Sequence, residues 1–213
     1  MTRPRLLDLY CGAGGAAVGY HRAGFNVTGV DIAPQPRYPF EFCQGDAMTW
    51  PLDGYDAIHA SPPCQDHSRS HKPCAHGTGW MLAATRRRLQ ATGLPWVIEN
   101  VPGAPMRADL RLCGCMFGLR GLMRERWFET HPPLFELRAP CYHPDPVITV
   151  SGTGAGVTHQ KIHATFADWR RIMGIDWMTG AELAQAIPPA YTEYLGRQLL
   201  GVVTGAQPGR RLT

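Results

Sequence analysis

Short apolar runs alternate with glycine-rich or polar breaks through the first hundred residues. Arg5–Tyr10 (RLLDLY) is apolar and gives way at once to CGAGG. Ala16–Ala23 follows with helical character and closes at Gly24. Phe25–Asp31 (FNVTGVD) predicts a second strand and Phe40–Asp46 a third, each ending in a carboxylate. Tyr55–Ala60 (YDAIHA) predicts a fourth, running into SPPC. Gly79–Thr92 predicts a helix whose basic run, Arg86, Arg87 and Arg88, reads as a solvated face. Pro95–Glu99 (PWVIE) predicts a fifth strand, ending at Glu99 and Asn100. Strands separated by helices imply crossovers and hence a mostly parallel, doubly wound α/β sheet. In such sheets ligands gather beyond the carboxyl ends of the strands. Gly12, Gly14, Asp31, Asp46, Cys64 and Glu99 all fall at those ends. One such residue means little, but six at the same edge make a site.

The stretch ASPPCQDHS sharpens that picture. Pro62 and Pro63 fix two φ angles and remove two backbone donors just before Cys64. The chain must leave regular structure there, which presents the thiol stiffly on a turn. A strand-ending turn with an incidental cysteine accounts for the same residues. The glycines of CGAGG permit tight turns and close approach of a ligand to the backbone, and the helix that follows offers free N–H groups. Asp31, ending the next strand, suits a ribose diol. Together they point to a nucleoside-containing cofactor without distinguishing a dinucleotide from S-adenosylmethionine.

Composition bounds the rest. The 213 residues suit a single domain, 1–213, with one substantial core. Hydrophobic residues make up 44% and charged residues 18%, as in a globular chain. No apolar run reaches membrane-spanning length, and the start MTRPRLLDLY lacks the apolar segment of an export signal. A cytosolic location and reduced thiols are therefore expected for the seven cysteines. Net charge is +4 and the isoelectric point about 8.8, which permits a polyanionic partner without requiring one. Cys113 and Cys115 form CxC, and Cys141 with His143 forms CxH. Both spacings are shorter than those of common zinc sites, so no metal is expected.

The ordered motifs resemble those of the DNA cytosine-5 methyltransferases. LLDLYCGAGGAAVGYHRAGF is similar to that family's cofactor motif, with Tyr10 where phenylalanine is usual. VDI carries Asp31 where the family has glutamate, GDA carries Asp46, SPPCQ holds Cys64, IENV holds Glu99, and MRERWFET carries Arg124 and Arg126. AQAIPPAYTEYLGRQL resembles the last motif, which packs beside the first. The resemblance covers most of the chain. It implies a Rossmann-like fold and S-adenosylmethionine bound by Asp8, Tyr10, Gly12, Gly14, Gly15, Asp31, Ile32, Asp46, Ala47, Pro62 and Gln185. It makes Cys64 a nucleophile that adds to C6 of cytosine, so that C5 becomes nucleophilic. Glu99 would share a proton with N3, and Arg126 would hold the O2 side of the ring and orient Glu99. Arg124 would support them. The target base must leave the duplex to reach these groups.

The resemblance also implies double-stranded DNA as partner. Gln65, Ser68, Arg69, Lys72, Asn100, His159 and Lys161 are the expected contacts, the basic ones reaching phosphates. Taken singly, Asp31 and Asp46 are equally well turn or cap residues, Glu99 a capping group, and the two arginines an exposed strand face. Departures from the family concern recognition. Only residues 130–166 stand where a target-recognition domain is usual, Leu122 replaces a glutamine, and Ala184 and Gln185 replace Gly-Asn. A minimal insert of that kind keeps other readings open. These are a related enzyme acting on RNA or a free nucleotide, one using a modified S-adenosylmethionine, a non-catalytic DNA-binding relative, and recognition completed by a homo-oligomer or a separate subunit.

Overall fold

The computed structural model describes residues 2–63, 77–143, 147–148, 150 and 164–205. Its strands are β1 (Arg5–Leu9), β2 (Asn26–Asp31), β3 (Glu41–Gln44), β4 (Ala57–Ala60), β5 (Trp96–Asn100), β6 (Leu110–Leu112) and β7 (Arg126–His131). The helices are α1 (Gly15–Ala23), α2 (Trp80–Thr92), α3 (Phe166–Met173), α4 (Gly180–Gln185) and α5 (Pro189–Thr204), with a 3₁₀ turn at Gly114–Phe117. The five expected strands and both expected helices of the first hundred residues are present.

The strands form one sheet in the order β3-β2-β1-β4-β5-β7-β6. Strands β1 to β5 pair in parallel, and β7 runs antiparallel to both β5 and β6. The order reverses between β1 and β4, the switch point at which a parallel sheet opens a crevice.

Alternation along β1 builds two layers. Leu7 and Leu9 pack with Ile58, Leu82, Leu89, Trp96 and Ile98 on the α2 side. Leu6 joins Tyr20, Phe25, Val27, Phe128, Tyr191, Leu195 and Leu199 on the side of α1 and α5. Each such buried side chain contributes about 1.5–3 kcal/mol relative to exposure. A third cluster joins Leu122, Trp169, Ile172, Met173 and Leu183 beyond the sheet's end. Helices α1 and α5 touch through glycines. A Cβ at Gly19 would lie 2.0 Å from Thr192 Oγ1 and 2.2 Å from the Pro189 carbonyl, and one at Gly196 would lie 2.7 Å from Ala23 Cβ.

Candidate active site

The loop after β1 is shaped by left-handed backbone. Tyr10 has φ 58°, Gly12 φ 48° and Gly14 φ 85°. Asp31, at the end of β2, holds this loop: its Oδ2 accepts the Gly12 N–H at 3.0 Å and its Oδ1 the Ala33 N–H at 3.0 Å. A Cβ at Gly12 would meet nothing within 4 Å, so the space above it is open. At Gly15 the constraint is the chain itself, because a Cβ there would lie 2.5 Å from the Ile187 carbonyl. The last motif thus packs directly on the first, and Trp177 Nε1 donates to the Ala13 carbonyl at 2.9 Å.

Beside this loop, Ile32 exposes 72% of its surface just past Asp31. The Asp31 carbonyl accepts the Gly45 N–H at 2.9 Å, which brings the Asp46 turn alongside. Asp46 is exposed, and its Oδ1 accepts the Met48 N–H at 2.8 Å. Ala47 is buried beneath. The Tyr10 hydroxyl bonds Thr85 Oγ1 at 2.9 Å and Met48 Sδ at 3.0 Å, closing the wall. Asp8 lies under the loop, buried, with neither carboxylate oxygen paired among the described residues. The Tyr38 hydroxyl beside it is also buried without a partner of hydrogen-bond geometry. Burial, and then the charge of Asp31, push the Asp8 carboxyl well above the ordinary range.

The second half of the site lies across the switch point. Glu99 ends β5 almost fully buried, and Arg126 Nε meets its Oε1 at 2.9 Å. Strands β5 and β7 set this pair, since Glu99 stands opposite Phe128 and the two chains run antiparallel. Burial raises the Glu99 carboxyl, while the Arg126 and Arg124 guanidinium groups and the Ser61 hydroxyl pull it back. Ser61 extends inward: His59 Nε2 lies 2.9 Å from its Oγ, and the Tyr20 hydroxyl 3.0 Å from His59 Nδ1. Burial lowers the His59 pKa to about 3, so the ring is neutral. The arrangement that satisfies every group has Tyr20 donating to Nδ1, Nε2–H donating to Ser61, and Ser61 donating to Glu99. Sequence reasoning missed Ser61, His59 and Tyr20. The available signal was a histidine inside the apolar strand YDAIHA.

Several expected residues take other positions. Asn100, expected to touch DNA, is buried. Its Nδ2 donates to the Pro62 carbonyl at 3.0 Å and its Oδ1 accepts the Val101 N–H at 2.9 Å, so it clamps the Pro62–Pro63 turn to β5. Arg124, expected to support Glu99 and Arg126, is buried and holds the chain around it. It donates to the carbonyls of Ala186 at 2.9 Å, Ala184 at 2.8 Å and Val150, while Tyr191 donates to the Arg124 carbonyl. Gln185, between those anchor points, is exposed at the end of α4. Arg86 and Arg88 do not form a solvated face. Arg86 makes a fork with the buried Glu129, at 2.9 Å to Oε1 and 2.8 Å to Oε2, and Arg88 donates to the carbonyls of Ala47 and Trp50. Only Arg87 of the three is exposed. Both exceptions are long-range pairings that a helical pattern does not encode.

Cys64, Gln65, Ser68, Arg69, Lys72, His159 and Lys161 lie outside the described residues, as does much of 130–166. Cys113, Cys115, Cys141 and His143, read from their spacing as separate reduced thiols and a histidine, are gathered by the fold, with all four ligand atoms within 4.8 Å of one another. No helix among the described residues is long and apolar enough to cross a membrane.

No protein-family model matches the chain. It is 30% identical over 115 residues to the type II methylase M.HgiDII of Herpetosiphon aurantiacus. That match takes in 46% of this chain and 32% of the relative, so the chain spans about a third of the curated relative's length. The chain shares its fold with solved methyltransferases. The Dnmt2 methyltransferase of S. pombe superposes with a TM-score of 0.64 at 14% identity, covering 94% of this chain and 99% of that one. The Entamoeba histolytica methyltransferase EhMeth gives 0.64 at 12% identity, over 95% and 99%. A candidate DNA modification methyltransferase encoded in an E. coli prophage gives 0.63 at 14% identity, over 94% and 99%. The architecture is the Rossmann-like α/β methyltransferase fold.

Proposed function

We propose that this protein transfers a methyl group from S-adenosylmethionine to C5 of cytosine in duplex DNA. The observation that carries the reading is the buried Glu99–Arg126 pair, 2.9 Å apart at the carboxyl end of β5, next to Asn100, which holds the Pro62–Pro63 turn.

The cofactor fits the first half of the site on three grounds. The space above Gly12 is open, Ile32 presents an uncovered apolar face, and the Asp8 carboxyl lacks a partner among the described residues. Asp31 would take the ribose hydroxyls, and Ile32, Asp46 and Ala47 would flank the adenine. When bound, S-adenosylmethionine supplies an electrophilic methyl group. The protein's task is to make C5 of cytosine nucleophilic beside it.

Cys64, immediately after the proline turn, would add as thiolate to C6, forming the S–C6 bond and moving the ring's electron pair toward C5. Burial favours the protonated form of Glu99, which would let the carboxyl share a proton with N3 as negative charge builds there. Arg126 would hold Glu99 in register and reach O2 of the ring. Ser61, at the end of the Tyr20–His59–Ser61 chain, would donate to Glu99 and help hold its orientation. Loss of the C5 proton to a base then expels the Cys64 thiolate and restores the aromatic ring.

The experiment offers duplex DNA, RNA and deoxycytidine monophosphate in parallel with labelled S-adenosylmethionine, followed by mass spectrometry of the nucleosides. The reading predicts 5-methyl-2′-deoxycytidine from duplex DNA. Product only in RNA or the free nucleotide would move the substrate, and a methyl group on an exocyclic nitrogen would overturn the chemistry.

A further inference from the structure

We propose that Cys113, Cys115, Cys141 and His143 bind one zinc ion, which pins the segment after β7 to the end of β6. Three of the six separations between the ligand atoms are close to those of a tetrahedral site, and all four atoms lie within 4.8 Å of one another. Cys113 Sγ lies 3.4 Å from His143 Nε2, Cys115 Sγ lies 3.4 Å from Cys141 Sγ, and Cys141 Sγ lies 3.1 Å from His143 Nε2. Zinc–sulfur bonds of about 2.3 Å and zinc–nitrogen bonds of about 2.0–2.1 Å give tetrahedral edges of roughly 3.5–3.8 Å. Small adjustments would bring these atoms onto such a frame.

The donor chemistry selects the metal class. Three sulfurs and one imidazole, with no carboxylate among them, form a soft set that suits zinc and not magnesium or calcium. Four protein ligands leave no open position, so the site is structural and not catalytic.

The protein around the cluster is built for it. Cys113 caps the 3₁₀ turn Gly114–Phe117 in extended conformation, which sets Cys113 and Cys115 on one tight bend. Gly114 between them cannot be larger, because a Cβ there would lie 2.7 Å from the Leu122 Cβ and carbonyl. Arg138 donates to the Met116 carbonyl at 3.2 Å, which places a cation beside the same turn.

A physical need for the ion is also visible. In Pro132–His143 only Leu134 is buried, while Phe135, Leu137 and Tyr142 are largely exposed. Tyr194 and Gln198 hold the backbone of Phe135 and Leu137, and Arg138 stacks over Phe117 and Tyr194. Beyond Arg138, the ties that fix the chain among the described residues are those of Cys141 and His143. Small segments without an apolar core are commonly stapled by a metal or a disulfide. A Cys115–Cys141 disulfide is the rival staple. It would need an oxidant to take two electrons and two protons, and it would leave Cys113 and His143 converging without a role.

The proposal stands independently of the methylation chemistry. Its test is metal content in protein purified without a metal-affinity tag, under reducing conditions and low oxygen. About one zinc per chain is expected in the wild type, as for a closed four-ligand site. The Cys43→Ser control on β3 should keep it, whereas Cys141→Ser and His143→Ala should lose most of it. Cobalt(II) exchanged into the wild type should show the visible bands of a tetrahedral ion together with intense sulfur-to-metal charge transfer. That readout holds even where a variant fails to fold. Folded wild-type protein without metal and without a tetrahedral cobalt spectrum would overturn the proposal. So would an intact mass lower by two hydrogens with Cys115 and Cys141 linked in peptide maps.

Discussion

At the carboxyl edge of β1, the loop bearing Gly12 rests on a continuous floor. Leu7 and Leu9 are buried on one face, Leu6 on the other, and Asp31 fastens the turn from the next strand. In Pro132–His143, by contrast, one buried leucine serves a whole segment, and arginine, tyrosine and cysteine side chains do the holding. The first region is specified by local pattern, because apolar runs and glycine turns make it wherever a parallel sheet forms. The second depends on partners far away in sequence. The cofactor edge rests on buried strands on both faces, while Pro132–His143 has little buried core of its own.

That contrast can be broken most severely on the cofactor side. Gly19→Val would drive a side chain into Thr192 and Pro189, where even a Cβ lies 2.0 Å from Thr192 Oγ1. Overpacking on that scale falls in the tail above about 4 kcal/mol. Loss of soluble, cooperatively unfolding protein is expected in circular dichroism, and a stable folded variant would mean that α1 and α5 pack otherwise.

A smaller effect is expected at Asp31. Asp31→Ala removes the acceptor of the Gly12 N–H and the proposed ribose contact. Cofactor affinity measured by calorimetry should fall by about 1–3 kcal/mol, the scale of a lost charge-assisted hydrogen bond. Unchanged affinity would reduce Asp31 to a turn residue.

The buried carboxyl beneath the loop sharpens the comparison through pH. Asp8 has its folded pKa raised, so the folded state holds a proton that the unfolded chain releases near pH 4. Stability contributed by the neutral form is therefore complete below that pH and declines as pH rises toward the folded pKa, by up to about 1.4 kcal/mol per pH unit. Glu99 adds a decline of the same sign. Urea unfolding of ligand-free Asp8→Asn across pH 5 to 8 should give a flatter profile than the wild type. Parallel profiles would show that Asp8 is not held protonated.

How much of this was legible in the chain follows the same division. The parallel strands and the residues at their ends could be read from pattern, turn chemistry and family resemblance, because those signals are local. Arg86 could not, since a basic helix face looks solvated until Glu129 arrives from β7 to pair with it. The family resemblance put Asn100 among the DNA contacts, yet its amide is committed to Pro62 and Val101. The Ser61–His59–Tyr20 chain and the convergence of Cys113 with His143 were hidden for the same reason. Each joins strands, helices or loops that only the folded topology brings together.

The central claim is covalent catalysis by Cys64 with Glu99 and Arg126 at the base. Its most direct test uses duplex DNA carrying 5-fluorocytosine, whose C5 cannot release a proton, incubated with S-adenosylmethionine. The wild type should form a denaturation-resistant protein–DNA adduct only when the cofactor is present, with Cys64 as the modified residue in peptide mass spectra. Cys64→Ser should form none while binding the cofactor normally. Methylation or trapping by the serine variant, or an adduct mapped to another residue, would contradict the account.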